Sequence, residues 1–439
     1  MVELAQIQEL RAINFKSFHE AELRLSPLTM LIGANASGKS NLVESIRLLR
    51  WLARGGRLDE VARALEYREL AVRGSLADLT WDGRPFFDLG CSVRGAGLGA
   101  WTEFDAQMLT RDSGIRVWYE AVKDLHRRSP LYSIEKAASA GGHDIAVAYN
   151  NFAKGGRKPQ ITCTDQQLVL TQLGTPARFG EAHQRSQKVI PKVTGAFRDA
   201  LGAICFLDPV PAAMRGYANL ADKTLAEDGR NLSSVLFHLC QRAEQKSDVL
   251  AFVRALPEQD IADISFVETP RNEAMVQLEE SFAGQRLKRD APVLSDGTLR
   301  VLAVAAALLS AREGSLIVIE EIDNGVHPSR AALLLEGILR IARARSLHVL
   351  LTSHNPALLD ALPTEAVPKV ACCYRDPEKG DSRIVHVEDL PSAPELLARG
   401  PLGGLMTNGV LDRYLKDTRK PEERSREAMA WLKEFQGAK

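Results

Sequence analysis

The sequence predicts an α/β fold built around a mostly parallel sheet. Three observations lead to this prediction. Short apolar runs such as Leu28–Ile32 and Leu316–Ile319 are typical of strands buried on both faces of a sheet. Residues with helical periodicity follow these runs, and strands alternate with helices along the C-terminal part of the chain. The length of 439 residues allows two or three domains and a substantial core.

The first predicted elements are two short strands, a buried strand and a helix. Residues 10–25 alternate between apolar and polar side chains, and the run that ends at Ile32 is almost continuously apolar. A glycine-rich segment comes next. Apolar residues then recur at helical spacing from Leu42 to Ala53, and Gly55 follows as a stop signal.

The middle of the chain, from about 57 to 290, predicts mixed structure. A helical pattern begins at Leu232, and two strand-like runs flank a turn at Pro270–Asn272. After residue 294 the pattern becomes regular again, with a helix, the strand Leu316–Ile319, a second helix, and the strand His348–Leu351.

The charge balance excludes a globally basic protein. The chain carries 56 Lys and Arg residues and 56 Asp and Glu residues, so its formal net charge is zero. Any contact with nucleic acid must therefore come from a local patch. Three basic clusters are candidates, although each also fits an ordinary solvated surface: His126–Arg128, Lys154–Lys158 and Arg185–Lys192.

The sequence gives no sign of a membrane or secretory protein. Residues 1–10 contain Glu3 and Glu9 and lack an apolar segment, and no apolar run reaches the roughly 20 residues that span a bilayer. The six cysteines show no CxxC spacing, which favours free thiols in a reducing compartment. We therefore expect a cytoplasmic protein with no membrane partner.

The segment Gly33–Ser40 fits the phosphate-binding pattern GxxxxGK[ST]. Its glycines allow backbone N–H groups to close around phosphates, Lys39 can reach the β and γ oxygens, and the Ser40 hydroxyl can bind Mg²⁺. The following helix adds the partial positive charge of its N-terminus. ATP and Mg²⁺ are therefore the expected cofactors. The residues predicted to bind nucleotide are Gly33, Asn35, Ser37, Gly38, Lys39, Ser40 and Asn41.

Two carboxylates follow the buried strand that ends at Ile319. Ligands of open α/β sheets bind at the carboxyl ends of the strands, so both acids should face the nucleotide. Glu320 is predicted to hold Mg²⁺ through water, together with Ser40. Glu321 is predicted to orient or deprotonate the attacking water.

His354 follows the strand His348–Leu351 and should emerge at the same edge of the sheet. A histidine at this place could position the attacking water or the γ-phosphate. Lys39, Glu321 and His354 form the predicted catalytic set.

The segment Leu294–Thr298 on its own predicts a helix start, because Ser295 or Asp296 before an amphipathic run is typical of an N-cap. This interpretation explains the residue types but not their spacing to Glu320.

Taken together, these segments resemble the ABC-type ATPases of the SMC and RecF group, in particular stand-alone AAA-family ATPases related to OLD-type proteins. The resemblance covers roughly residues 8–50 and 200–410. It implies a P-loop NTPase whose ABC-type ATPase head is split by a large insertion of mixed α/β structure and a helical lid. The matching segments are Ile13–Phe18 (the start of the family), 33–40 (Walker A), Asp228–Leu232 (lid), Leu294–Thr298 (signature), Ile317–Glu321 (Walker B), Asp323–Pro328 (D-loop) and His354 (switch histidine).

The resemblance also implies how the chain is divided. The expected parts are an N-terminal part of the head with Walker A at 1–56, an insertion and lid region at 57–290, a C-terminal part of the head at 291–407, and a helical tail at 408–439.

The family implies a head-to-head homodimer with two ATP molecules at its interface. The signature residues Ser295, Asp296 and Gly297 of one subunit would then cap the nucleotide of the other, and Asp323 would belong to the D-loop. Nucleotide-dependent dimerisation would control DNA binding or a partner effector, such as a separately encoded nuclease or toxin, in DNA repair or phage defence. The family's usual Walker B aspartate is Glu320 here, so hydrolysis could be slow.

Two other functions fit parts of the sequence. A non-turnover ATP sensor or scaffold would explain Glu320 as a mark of lost hydrolysis. A transporter subunit fits less well, because roughly 280 residues separate Lys39 from Glu320. The sequence after His354 contains no Asp-x-Asp pair, so we expect no Toprim-type nuclease site in this chain.

Overall fold

The computed structural model describes residues 5–67, 69–95, 97–111, 114–126, 129–138, 142–254, 260–282, 285–322, 328–390 and 393–416. Asp323, most of the predicted tail, and residues 127 and 128 of one basic cluster lie outside these ranges. Within them, no helix is long and apolar enough to cross a membrane.

The strands of the described chain are numbered in chain order. They are β1 (Gln6–Phe15), β2 (Phe18–Arg24), β3 (Thr29–Ile32), β4 (Phe86–Arg94), β5 (Trp101–Arg111), β6 (Gly114–Asp124), β7 (Tyr132–Lys136), β8 (Asp144–Tyr149), β9 (Gln160–Thr164), β10 (Cys205–Leu207), β11 (Ala218–Asn219), β12 (Ile261–Thr269), β13 (Glu273–Phe282), β14 (Gln285–Asp290), β15 (Leu316–Ile319), β16 (His348–Ser353), β17 (Ala371–Arg375) and β18 (Ser382–His386).

The α-helices are numbered in the same way. They are α1 (Lys39–Ala53), α2 (Val61–Glu66), α3 (Val169–Gln172), α4 (Gln184–Gly202), α5 (Pro211–Met214), α6 (Leu232–Cys240), α7 (Ala243–Val253), α8 (Asp296–Ser310), α9 (Pro328–Ala344), α10 (Pro356–Asp360), α11 (Ala393–Leu397), α12 (Leu402–Thr407) and α13 (Val410–Lys416).

One large sheet has the strand order β10-β15-β16-β3-β17-β18-β2-β1-β4-β5-β6-β7-β8-β9. Its first five strands are parallel to one another. In the register of these strands, Ile319 pairs with Leu351, and Ser353 pairs with Ile32. The carboxyl ends of β15, β16 and β3 therefore meet at one edge, and the predicted α/β fold class is confirmed. Residues 33–40, the predicted phosphate-binding loop, follow β3 at this edge.

The parallel strands are buried on both faces, as their apolar sequences predict. Leu31, Val318 and Leu350 pack in the same hydrophobic cluster as apolar residues of α1 and α4. Their strand neighbours Met30 and Val349 face the other side, in a cluster with α8 and α9. Helices therefore cover both faces of this part of the sheet, which explains the nearly continuous apolar runs.

The region after α1 extends the same sheet. Strands β4 to β9 pair with their chain neighbours in antiparallel fashion. This meander joins the head through β1, whose Ala12 pairs with Ala21 of β2 on one side and with Leu89 of β4 on the other. Strands β4 to β9 therefore widen the same sheet beyond β1.

A second, smaller sheet contains β11 to β14 and carries the lid helices. Its strands β12 and β13 form the hairpin predicted around Pro270–Asn272. The Ser233 hydroxyl of α6 accepts a hydrogen bond from the backbone N–H of Val276 on β13, at 3.0 Å. This contact fixes α6 against the small sheet, and α6 and α7 also share the apolar cluster of α8.

Candidate functional site

Close backbone approaches hold the phosphate-binding loop, residues 33–40, in place. A Cβ atom added at Gly33 would collide with the carbonyl oxygen of Cys373 on β17. A Cβ atom at Gly38 would lie 2.5 Å from the hydroxyl of Ser382, and Gly38 has a φ angle of 120°, which favours glycine. The packing of the loop therefore requires both glycines of the sequence pattern.

Lys39 lies across this loop. Its ammonium donates hydrogen bonds to the carbonyl oxygens of Gly33 at 2.6 Å and Ala34 at 3.1 Å. The same residue begins α1, so the free N–H groups of the helix start face the loop. The loop thus combines a lysine with a helix N-terminus, as a phosphate site requires.

A serine pair connects the start of α1 to the rest of the head. The side-chain amide of Asn41 donates to the Ser17 hydroxyl at 2.8 Å, and the Ser382 hydroxyl lies 2.8 Å from the same oxygen. Three segments far apart in sequence are thereby fixed around the loop.

A cavity of about 500 Å³ lies over the loop. It gathers side chains from the loop, from α1 and from the ends of β15, β16 and β17. Gly33, at the start of the loop, is not among its lining residues. The predicted site residues that line it are Asn35, Ser37, Gly38, Lys39, Ser40, Asn41, Glu320, Glu321 and His354.

Glu320 is ion-paired with Arg47 of α1. The Arg47 guanidinium lies 2.7 Å from the Glu320 carboxylate and also contacts Glu227, and its side chain is only 9% exposed. Burial raises the pKa of Glu320, Arg47 opposes that shift, and the nearby Asp208 and Glu227 carboxylates add to it. The predicted metal ligand is therefore already engaged by a buried cation.

Glu321 occupies an unusual backbone conformation directly after β15. Its φ angle is 48°, which costs a residue other than glycine on the order of 1–3 kcal/mol. The hydroxyl of Thr352, on β16, accepts the backbone N–H of Glu321 at 3.0 Å. Backbone strain thus lies at the residue that we predict to act on the attacking water.

His354 comes directly after β16 and is exposed within the lining of the cavity. The next residue, Asn355, caps α10 by accepting the backbone N–H of Ala357 at 2.9 Å. This cap turns the chain into a helix immediately after His354. The histidine therefore lies at the sheet edge where the sequence predicts it.

The signature residues lie at the start of α8. The Ser295 hydroxyl accepts the backbone N–H of Thr298 at 3.1 Å, so Ser295 is the N-cap, one of the two candidates that the sequence indicates. Arg215 contacts the Asp296 carboxylate at 2.5 Å and the carbonyl oxygen of Leu294 at 2.7 Å. Neither these residues nor Gly297 line the cavity over the phosphate-binding loop of the same chain.

Sequence analysis missed several residues of the site. Arg73 and Arg375 line the cavity and add two cations to Lys39. Arg73 is anchored by Glu44 at 2.5 Å and lies in a loop without any recognisable pattern. Arg375 ends β17, and assigning a strand to 371–375 would have placed it at the same sheet edge.

The donor set of the cavity fits a nucleotide with Mg²⁺. The cations match a polyphosphate, and the Ser40 hydroxyl and Glu320 carboxylate are oxygen ligands of the kind Mg²⁺ prefers. Within the described ranges, no group of three or more His, Cys, Asp or Glu side chains could hold a metal ion.

Comparison with known proteins identifies two sequence matches. Residues 28–78 and 214–360, together a little under half of the chain, match a family model described as "AAA domain, putative AbiEii toxin, Type IV TA system". A stretch of 69 residues is 44% identical to the "DNA replication and repair protein RecF" of Gloeobacter violaceus, and it spans 16% of this chain and 16% of that protein.

Solved structures similar to the chain include three SMC head domains. The SmcHead bound to the C-winged helix domain of ScpA is 12% identical, with a TM-score of 0.48, over 87% of this chain and 97% of the other. The head from Thermotoga maritima is 11% identical, with a TM-score of 0.41, over 87% and 98%. The head with an extended coiled coil from Pyrococcus furiosus, bound to the C-terminal domain of ScpA, is 13% identical, with a TM-score of 0.45, over 90% and 99%.

Proposed function

We propose that this chain, an SMC/RecF-like ABC-type ATPase, binds and hydrolyses ATP and dimerises head to head around two nucleotides. In this proposal the ATP-dependent dimer controls DNA binding or a partner effector. The observation that carries the proposal is the single cavity that brings Lys39, Glu321 and His354 together from three distant parts of the sequence.

Each of these side chains would have a separate task. Lys39 would neutralise the β and γ phosphates, and the exposed arginines Arg73 and Arg375 would add positive charge at the rim. Glu321 would hold the attacking water, and His354 would orient that water or the γ-phosphate. Ser40 and Glu320 are the residues that would hold Mg²⁺, which neutralises charge on the phosphates when it is bound.

Residues near the signature support the dimer. Val293, directly before the signature segment, is 66% exposed, and Tyr217, two residues after Arg215, is 46% exposed. Val293 lies two residues before the N-cap Ser295, and Arg215, two residues before Tyr217, contacts Asp296, so both exposed apolar side chains lie beside the start of α8. Contact with the nucleotide face of a second copy would bury them.

The two sequence matches support the proposed biological context. The RecF relative is named for DNA replication and repair, and the family description refers to a toxin–antitoxin system. We therefore propose DNA repair or defence against phage as the setting, with DNA or a separately encoded effector as partner.

Phosphate release tests the enzyme part of the proposal. Purified protein should release phosphate from ATP in the presence of Mg²⁺, with and without duplex DNA. Glu321→Gln should keep ATP binding but reduce turnover by on the order of a hundredfold, since general-base assistance contributes about that much or more. Equal turnover in the variant and the parent protein would refute the role of Glu321.

Action in trans can be tested with two variants. Glu321→Gln should form an ATP-dependent dimer that light scattering detects, because it binds ATP without consuming it. Ser295→Arg should stay monomeric with ATP because the bulky cation blocks the nucleotide face, yet it should still bind ATP. Mixing Ser295→Arg with Lys39→Ala should restore one working site per dimer. A mixture that shows no recovered turnover contradicts the trans arrangement.

A second candidate is an ATP-binding sensor without turnover. The ion pair between Arg47 and Glu320 favours it, because a carboxylate held by a buried guanidinium is less available to Mg²⁺. In this case ATP would still cause dimerisation, but the parent protein would release no phosphate above the level of Glu321→Gln.

A further inference from the structure

Two cavities adjoin each other at the C-terminal end of α8, and together they are called the groove. Their volumes are about 750 and 720 Å³, and both are lined by residues 310–312. The ends of α1 and α4 border the first cavity, and α6 borders the second. The groove is separate from the cavity over the phosphate-binding loop, with which it shares no lining residue.

The groove is strongly basic in a chain whose net charge is zero. Among its described lining residues, seven lysines and arginines face three acids. One of the acids, Glu227, is already paired with Arg47. The cations come from six separate segments of the sequence, and none belongs to the basic clusters that the sequence indicates, although Arg198 lies six residues after one of them. They are Arg50, Arg54, Arg198, Lys223, Arg242, Arg312 and Arg345.

Two of these cations have a structural task. Arg54 donates to the carbonyl oxygen of Gly202 at 2.8 Å, and Arg345 donates to the carbonyl oxygens of Leu308 and Ala311 at 2.6 and 2.8 Å. Both therefore cap the carboxyl ends of helices, where cations are favourable.

The other cations are poorly compensated. No hydrogen bond or ion pair joins the side chains of Lys223, Arg242 or Arg312 to another residue that the structure describes, and all three are exposed. Arg198 approaches its neighbour Asp199 only at 3.7 Å. A concave surface with several uncompensated cations creates a positive field that attracts anions.

The side chain of Arg50 is partly buried in the wall of the groove. Its Nε atom is buried without a hydrogen-bond partner among the described residues. Burial and the neighbouring guanidinium of Arg54 lower the pKa of Arg50. A guanidinium that is partly desolvated beside a like charge is stabilised when an anion enters the groove.

The groove has the wrong lining for base recognition. The His238 ring in the groove is half-buried, and its Nε2 lies 2.7 Å from the carbonyl oxygen of Leu220. The ring of Phe206, which also lines the groove, is 3% exposed and lies beneath the guanidinium groups of Arg47 and Arg50, at 4.4 and 5.3 Å from the ring centre. No base could stack on it without displacing these arginines. Contacts in the groove would therefore be made to phosphates, without regard to sequence.

We propose that this groove binds the phosphodiester backbone of nucleic acid. The inference rests on the nucleic-acid part of the proposed function and not on the ATPase. It also supplies a physical connection between the two sites, since Arg47 contacts both Glu227, which lines the groove, and Glu320, which lines the ATP cavity.

Fluorescence anisotropy with labelled duplex DNA of about 30 base pairs and mixed sequence, without nucleotide, tests the groove. The double variant Arg198→Glu with Arg312→Glu should bind at least about tenfold more weakly than the parent chain at about 100 mM salt. The slope of log affinity against log salt should fall by about two, because two phosphate contacts are lost. Both side chains are exposed, so the variant should keep the thermal unfolding midpoint of the parent chain.

The matched control is Lys154→Glu with Arg157→Glu, two exposed cations of a basic cluster that the sequence indicates. This variant should bind DNA within about twofold of the parent chain. The proposal would be wrong if the control variant lost DNA binding while the groove variant kept it. The DNA site would then lie at residues 154–158. The proposal would also be wrong if the parent protein bound acidic polyglutamate but no DNA, because the partner would then be an acidic protein.

The same measurements separate failure of this inference from failure of the proposed function. DNA binding by parent protein without nucleotide depends on the groove alone. Phosphate release depends on the ATP cavity. If the protein binds DNA through the groove but releases no phosphate, this inference is supported and ATP turnover is refuted. If it releases phosphate but does not bind DNA through the groove, only the groove proposal is refuted.

Discussion

The two halves of the large sheet are built in opposite ways. In the parallel half, neighbouring strands come from distant parts of the chain, so that β15, β16 and β3 lie side by side although their sequences are far apart. In the antiparallel half, β4 to β9 follow one another in chain order. Of the predicted catalytic residues, Glu321 and His354 directly follow or closely follow strands of the parallel half, and Lys39 begins the helix after β3.

This difference has a physical origin. Parallel strands need long crossover connections, which return the chain to the same edge and collect loops there. Residues 33–40, Glu320, Glu321 and His354 all lie in such loops. A meander places its turns alternately at both edges, so it collects no comparable group of loops. Its polar interior instead serves stability, as Glu120 of β6 illustrates.

Glu120 is fully buried and accepts three hydrogen bonds. The Tyr132 hydroxyl donates at 2.7 Å, and the backbone N–H groups of Leu170 and Val169 donate at 2.6 and 2.7 Å. The carboxyl group thereby ties β6 and β7 to the start of α3. Burial raises the pKa of Glu120 to about 7, although all three donors oppose the shift.

The largest effect is expected on ATP binding, for a substitution in the phosphate-binding loop. Lys39→Ala should weaken ATP binding by on the order of a thousandfold, or about 4 kcal/mol, because the phosphates lose a charge-assisted partner. Isothermal titration calorimetry measures this effect. Lys154→Ala, in an exposed loop beyond β8, is the matched control and should bind ATP normally. Unchanged ATP affinity in Lys39→Ala would show that residues 33–40 do not bind the phosphates of ATP.

The second prediction concerns the pH dependence of stability in the meander. The folded pKa of Glu120, about 7, lies above its ordinary value of 4.5, so the folded state holds the proton more tightly. Stability from this group is full below about pH 4.5 and is lost as pH rises to about 7, by about 3 kcal/mol. Urea unfolding at several pH values should show this loss in the parent chain and not in Glu120→Gln. A parallel pH dependence in both proteins contradicts the prediction.

A smaller effect is expected for Tyr132→Phe. The substitution removes the hydroxyl that donates to Glu120 and keeps the buried ring, so the free energy of unfolding should fall by about 1–2 kcal/mol. ATP affinity should stay unchanged, because Tyr132 lies in the meander. Urea unfolding and calorimetry on the same preparation check both parts. A weaker ATP complex would show that the two halves are coupled.

The smallest effect is expected at Arg47, within the parallel half. Arg47→Gln removes the cation that engages Glu320, so the Mg²⁺ concentration needed for half-maximal ATP binding should fall by about threefold. Arg54→Gln, about two helical turns further along at the C-cap of α1, is the control and should need the same Mg²⁺ as the parent chain. An increased requirement in Arg47→Gln would mean that the arginine helps to position Glu320 for the metal.

The sequence predicted β3, β15 and β16 of the parallel half because each carries a local signal, whereas β10 and β17 in the same half were not assigned. The strand Leu316–Ile319 has the bounds that its apolar run indicates, and α8 begins at the predicted cap Ser295. The phosphate-binding loop has a pattern that depends on backbone geometry alone. Glu320, Glu321 and His354 could be placed together because parallel strands end at a common edge.

The remaining features depend on contacts between distant segments. Nothing in the sequence near Arg47 reveals that it contacts Glu320, 273 residues away along the chain. The basic groove is similar, since its cations come from six separate segments of the sequence and only tertiary packing brings them together. The meander could not be predicted as part of the main sheet, because the pairing of β1 with β4 is set by tertiary contacts.

The position of β1 has a consequence for dissecting the protein. This strand is hydrogen-bonded along both sides, to β2 of the head and to β4 of the meander. A truncation between the two halves would leave a strand of ten residues with one side unpaired, and such long open edges recruit strands from other molecules. Separately expressed halves should therefore aggregate, whereas a tag inserted at the exposed hairpin turn between β12 and β13 leaves the main sheet closed.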